Sequence, residues 1–361
     1  MIPPRSKRNI IRILPFGIIW LVFSLIYTII ERGLLGNLDV YPSSHNQYIF
    51  RLNIIAIPLL ATLFGLITGL LEILYFNKWF IKNCFTKKIL YKSFIYLVII
   101  LFLLIIIFLT TGNKMSTAIS NKHFWQGMWA FFTDYSFLGI LTYITSIILI
   151  TQFYTEVSES MGTSLLSNFF LGKYYKPVEE ERIFMFLDMK SSTQIAEKLG
   201  HVLYFRMLQQ YFSDLTGPVI DYAGEIYQYA GDEMIISWTL EKGLKDNACI
   251  RCFFAMKESL LQNSAGYNEK YGTSPQFKAG LHYGKVTTGE IGVLKKEIIF
   301  TGDVLNATAR IEGLCNQYDV DILVSGILAQ QLNLSDYYTM ESVGKSILRG
   351  KEGQFELFTL K

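Results

Sequence analysis

Four apolar runs confined to the first 155 of 361 residues limit what this chain can fold into more than any other feature. They lie near 13–30, 52–76, 94–111 and 135–154, and each is long enough to cross roughly 30 Å of hydrocarbon. In lipid a backbone must satisfy its own hydrogen bonds, so such runs are expected as helices. The first run spans 18 uncharged residues. It is too long for a signal-peptide core and lacks a small-residue cleavage site, so it is expected to stay in the chain. Residues 182–361 read instead as an ordinary water-soluble domain. The chain's apolar fraction of 51% and mean hydropathy of +0.31 blend these two halves.

The short loops predict an orientation. Arg5, Lys7, Arg8 and Arg12 precede the first run, and Lys78, Lys82, Lys87, Lys88 and Lys92 fill the loop 77–93, which holds no acid. The loops 31–51 and 112–134 are sparse or mixed in charge. The positive-inside rule puts both termini and loop 77–93 in the cytoplasm of a multi-pass protein of the inner or plasma membrane. Trp79, Trp125 and Trp129 flank the spans as interfacial anchors, and Gly65 with Gly69 offers a small-xxx-small seat for a neighbouring helix. Glu72, an acid within a span, is a functional-site candidate by default; it also lies close enough to the cytoplasmic end to pair with Lys78 or reach the interface.

The net charge of +3, without a Lys/Arg stripe in the C-terminal half, predicts no nucleic-acid partner. Cys84, Cys249, Cys252 and Cys315 form no disulfide framework, and the lone C-x-x-C at 249–252 reads as buried packing. The expected organisation is a four-helix membrane domain over 1–154, a coupling linker over 155–181 ending near Pro177, and a soluble domain over 182–361.

In the soluble half, residues 182–187 (RIFMFL) read as a buried central strand with Asp188 at its end. A polar turn and a helical stretch to about 223 follow. EIYQY–AGDE–MIISW predicts a hairpin with Gly231 and Asp232 at its tip. The remaining expectations are a helix over 245–265, two strands at 276–283 and 286–291 around Gly284, and a helix over 304–316 capped by Asp303. A strand pair at 338–345 and 354–360 closes the domain. The order β-α-β-β-α-β indicates an α+β ferredoxin-like sheet.

That layout brings Asp188 and Asp232 to neighbouring strand ends. Two such carboxylates can hold Mg²⁺ ions over a nucleotide's phosphates, because Mg²⁺ binds through one or two carboxylates plus phosphate oxygens. Two metals can activate an attacking hydroxyl and neutralise the leaving group. Asn306 and Arg310, four apart on a helix, share a face. Asn can orient a sugar oxygen, and Arg can take the charge of a phosphoryl transition state. Lys351 offers a flexible cation near the C-terminus.

Together FLDMKSST, YQYAGDEMIISW, TGDVLNATARIE and LRGKEGQFELFTL resemble, in order, four motifs of the class III adenylate/guanylate cyclase catalytic domain, over roughly 181–361. The resemblance implies an α-helical transmembrane anchor followed by a ferredoxin-like cyclase domain, of bacterial type. It implies two Mg²⁺ (or Mn²⁺) per active site on Asp188 and Asp232 with the Met189 carbonyl. Asn306 would position the ribose, Arg310 would stabilise the transition state and Lys351 would grip the terminal phosphates. Attack of the 3′-hydroxyl on the α-phosphate of ATP would give cyclic AMP and pyrophosphate. Because the family's site forms between two catalytic domains, it also implies a homodimer.

The chain departs from the family at several positions. Ser191 and Ser192, followed by Thr193, stand in the substrate-binding loop where the family usually has Gly then Phe; small residues there still let the backbone approach phosphate. Gln228 and Ile299 occupy the base-selecting positions and match neither the adenine pattern nor the guanine pattern. Strong rejection of a wrong base needs positioned polar groups, which Ile299 cannot supply. ATP is the expected substrate, with GTP as the alternative. The rival readings are a GGDEF-type diguanylate cyclase, disfavoured by Ala230 and by the Asn306–Arg310 helix, and a membrane receptor whose cyclase-like domain only binds nucleotide.

Overall fold

The computed structural model describes residues 3–40, 47–80, 83–111, 129, 132–334, 338–346 and 354–361. Contacts divide the chain into two compact units, Arg8–Ser167 and Asn168–Lys361, the latter joined by Met1–Lys7.

The first unit holds α1 (Pro4–Leu35), α2 (Phe50–Leu71), α3 (Phe85–Thr111) and α4 (Tyr135–Met161), with a π-helical turn over Glu72–Phe76 continuing α2. Among the described residues, four helices are long and apolar enough to cross a membrane. Their surfaces suit lipid: Leu52, Ile55, Leu59 and Leu63 line one stripe of α2 and are each more than half exposed. A stripe of that size facing water would be an aggregation liability. Gly65 seats α1, since a Cβ there would lie 2.8 Å from the Phe16 carbonyl oxygen, and Gly69 lies against the Phe16 ring. Trp79 and Trp129 are exposed, whereas Trp125 lies outside the described residues.

One sequence expectation is overturned here. Lys87, Lys88 and Lys92 belong to helix α3, not to a loop, and Lys92 is 1% exposed. Its ammonium lies between two acids, Glu72 and Glu156 Oε1, the latter at 2.7 Å. Glu72 pairs with Lys92, and the Tyr96 hydroxyl donates to Glu72 Oε2 at 3.1 Å; the side chain of Lys78 lies outside the described residues. Lys88 reaches Glu156 Oε2 at 3.4 Å, Arg12 pairs with Glu159, and the Asn77 amide donates to Glu159 Oε1 at 2.7 Å. The run of lysines looked like a loop because sequence order does not show acids arriving from α2 and α4.

Helix α5 (Thr163–Phe170) follows α4, and the first strand of the second unit is β1 (Val178–Met189). Then come α6 (Ser192–Leu199), α7 (His201–Asp221), β2 (Glu225–Ala230), β3 (Glu233–Thr239), α8 (Ala248–Gln262), α9 (Ser264–Tyr271), β4 (Phe277–Ile291), β5 (Glu297–Thr301), α10 (Asp303–Gly313), β6 (Ile322–Ser325), β7 (Met340–Ser346) and β8 (Phe355–Leu360). The sheet runs β2-β3-β1-β4-β6-β8-β7, with β5 paired to β4. Its first four strands are antiparallel in the ferredoxin-like order; β6 joins β4 in parallel, which makes the sheet mixed.

Residues 183–187 of β1 are continuously apolar because both faces of the strand are covered there. Ile183, Met185, Leu187 and Met189 pack with Met207 and Tyr211 of α7 and Phe253 of α8. Phe184 and Phe186 pack on the other side with Val304 of α10. Cys249 and Cys252 are buried free thiols in the α8 core. Residues 276–291, expected as two strands, form one. Gly284 is not a breaker: it makes room for Val304, whose Cγ2 would lie 2.7 Å from a Cβ at that position. Helix α10 begins at Asp303 itself, after Gly302, so Asp303 is its first residue and not its cap.

Candidate functional site

The acid pair comes from two strand ends. Asp188 is the penultimate residue of β1, where the apolar run meets solvent. Asp232 follows Gly231 in the two-residue turn that closes β2 onto β3 through the Ala230–Glu233 pair. Gly231 holds φ at 67°, a value that hairpin turns of this length require and that glycine adopts without strain. Since β3 pairs antiparallel to β1, with Leu187 opposite Met234, the turn lands beside Asp188. The two carboxyl groups lie within hydrogen-bond reach of each other.

The charges around them are concentrated. Burial, then the neighbouring Glu312 and Asp232, push the Asp188 carboxyl up to about 6, against the opposing pull of Lys278. Burial, Glu312, Asp188 and Asp232 push Glu233 up to about 7. Crowded, half-buried carboxylates of this kind suit a hard divalent cation. Among the described residues, no three His, Cys, Asp or Glu side chains converge as a complete cation cage.

These shifts predict a pH dependence. An acid whose proton affinity rises on folding removes stability as pH climbs from its unfolded to its folded value. In EDTA, the apparent melting temperature is expected to fall between pH 5 and pH 7.5, and Asp188→Asn should flatten that slope. An unchanged slope in Asp188→Asn would contradict the crowding.

The loop after β1 borders a cleft of ≈ 510 Å³ lined by Asp188, Met189, Ser191, Ser192, Thr193 and Lys278, among others. Ser191 sits at φ 55°, ψ 28°, in the left-handed region, immediately before α6. The loop thus needs a positive φ as well as a small residue, and a serine there carries strain that glycine would not.

The other described candidates stand on β2, β5 and α10. Gln228 is exposed on β2 opposite Ile235, and Ile299 is half-buried on β5 opposite Gly289. The rings of their neighbours Tyr227 and Phe300 are 4.8 Å apart. Asn306 is exposed and Arg310 half-buried on α10. Lys351 lies outside the described residues.

Sequence reasoning missed Lys278, Glu233 and Glu312. The Lys278 ammonium lies 3.5 Å from Asp188 Oδ2 and 3.0 Å from Glu312 Oε1. Only strand register, with Asp188 opposite Lys278, could have pointed to it.

Comparison with known proteins agrees with this architecture. Residues 174–361 match the family described as adenylate and guanylate cyclase catalytic domain. Adenylate cyclase 2 of Rhizobium meliloti (strain 1021) is 34% identical over 208 residues, covering 58% of this chain and 57% of that protein. An adenylate cyclase of Anabaena cylindrica is 24% identical over 183 residues, covering 49% and 36% respectively. The chain therefore spans little more than half of the first relative and about a third of the second. A solved structure of a bacterial light-regulated adenylyl cyclase shares the fold, with a TM-score of 0.53 at 23% identity, covering 63% of this chain and 66% of that one. A family match over more than half the residues, on a sheet with this strand order, shows that the chain belongs to the class III adenylate and guanylate cyclases.

Proposed function

We propose that this chain is a membrane-anchored nucleotide cyclase that converts ATP to 3′,5′-cyclic AMP and pyrophosphate at sites shared between two copies of its C-terminal domain. The observation that carries the reading is the meeting of Asp188 and Asp232 at adjoining strand ends. With the Met189 carbonyl, these acids would hold two Mg²⁺ or Mn²⁺ ions. Bound cations there supply an acidified 3′-hydroxyl and neutralise charge on the departing pyrophosphate.

The chain's own residues do the rest. The Ser191–Thr193 loop cradles phosphate, and Lys351 grips its terminal end. Asn306 of the neighbouring subunit orients the ribose so that O3′ lies in line with the α-phosphorus. Arg310 takes the charge that develops on the equatorial oxygens. The O3′–P bond forms as the bond to the β-phosphate breaks, and the hydroxyl proton passes to solvent. Gln228 and Ile299 border the base; that the relatives carry the name adenylate cyclase supports ATP over GTP as the substrate here. Residues 1–154 anchor the protein in the inner or plasma membrane, both termini face the cytoplasm, and 155–181 couples the two parts.

The test is product identification. Full-length protein in nanodiscs is incubated with ATP or GTP and Mn²⁺. Cyclic AMP supports the reading, and cyclic GMP alone would reassign the base. Cyclic di-GMP, or no product, would overturn it.

A further inference from the structure

Lys278 occupies an unusual place for a lysine. It stands on β4 directly opposite Asp188 of β1, so both side chains emerge from the same face of the sheet. That face carries helix α10, which rests on the β4 backbone itself: a Cβ at Gly280 would lie 2.4 Å from the Glu312 nitrogen. The bare Gly280 backbone lets α10 approach this closely, so Glu312 lies over Lys278 and a shift of the helix moves its carboxylate relative to the ammonium. The lysine side chain is 9% exposed and that of Glu312 13%. An ion pair so poorly hydrated is screened far less than a surface pair.

We propose that Lys278 is a positioning residue shared between Asp188 and Glu312, and that its division between them sets how tightly the acid pair binds a divalent cation. The inference rests on the cyclase reading above and adds a regulator to it. An ammonium 3.5 Å from Asp188 Oδ2 repels a cation arriving at the same carboxylate. Glu312, at 3.0 Å, draws the ammonium away and leaves Asp188 open. Because Glu312 follows Arg310 by two residues on α10, movement of the helix that carries Asn306 and Arg310 changes the cation affinity of Asp188 in the same chain. In a dimer with shared sites, those two features serve different sites. Lys278 then links one site's metal affinity to the other site's ribose and phosphate contacts.

The test is a four-protein series in full-length form: wild type, Lys278→Met, Glu312→Gln and the double variant. Mn²⁺ binding is read as the midpoint of the cation-dependent rise in melting temperature, which needs no turnover. Glu312→Gln leaves the ammonium to Asp188 and should raise the Mn²⁺ midpoint at least threefold. Lys278→Met removes the competing charge and should lower it by a similar factor, while kcat falls about tenfold as Asp188 and α10 lose their tie. In the double variant the effect of Glu312→Gln should vanish, as expected for groups acting through one another. Lys278→Arg should restore kcat. Midpoints that move in the same direction, or additive effects in the double variant, overturn the proposal. A series that shows these midpoint shifts while the wild type makes no cyclic nucleotide would instead overturn the cyclase reading alone.

Discussion

Asp232→Asn is expected to reduce cyclic nucleotide formation by a factor of about 10³ or more while leaving the fold intact. The size follows from removing a charged group that the proposed site would set against the reacting phosphates; a lost contact of that kind is worth roughly 4 kcal/mol of transition-state stabilisation. The fold should survive because Asp232 lies in a turn whose geometry depends on Gly231. Without metal the variant should melt no lower than wild type, since Asp232 is one of the acids that crowd Asp188. The clearest readout is cation-induced stabilisation. At a Mn²⁺ concentration of about 100 times Kd, the native state gains about 2.7 kcal/mol. For a unit of this size that raises the melting temperature by roughly 5–10 °C. Asp232→Asn should lose most of that rise. A variant that keeps both the rise and the activity would show that the acid pair is not the cation site.

Lys92→Met should have the largest effect on stability. The side chains of Lys92 and Glu72 are each 1% exposed and that of Glu156 is 3% exposed. Removing the ammonium leaves two carboxylates in a nearly dry interior without their common partner. Breaking a buried pair in this way destabilises by about 3–5 kcal/mol, because an uncompensated charge remains. Thermal unfolding of the detergent-solubilised chain would show this as a large drop in the transition of the helical unit. The triple variant Lys92→Met, Glu72→Gln, Glu156→Gln should recover most of the loss, since a neutral buried set lacks that penalty. If the single variant melts like wild type, the cluster is hydrated in solution and its charges are not coupled.

The parts of the molecule that sequence made legible are those written in a single periodic element. The apolar runs became helices because nothing but a helix satisfies that composition in lipid. Asp188 and Asp232 were visible because an apolar strand that stops at an acid, and a Gly-Asp hairpin tip, each announce a strand end. Strands β5 and β6 escaped notice because five and four residues carry too little pattern beside a stronger helix motif. Gly284 misled because glycine reads as a break when no neighbouring helix is in view. The lysine between two acids recurs in both units, at Lys92 and at Lys278, and neither case can be inferred from spacing. Each depends on which segment of chain returns to that point.

The balanced charge of the helical bundle has a consequence for how the protein is made. Arg12, Lys88 and Lys92 meet Glu72, Glu156 and Glu159, which come from segments more than a hundred residues apart at the extremes. While α4 is still in the ribosome, Lys92 has only half of its partners and Arg12 lacks Glu159. The charge cluster is therefore complete only once α4 has joined the other helices. Chains that end before α4 would leave Lys92 with Glu72 alone and Arg12 without Glu159.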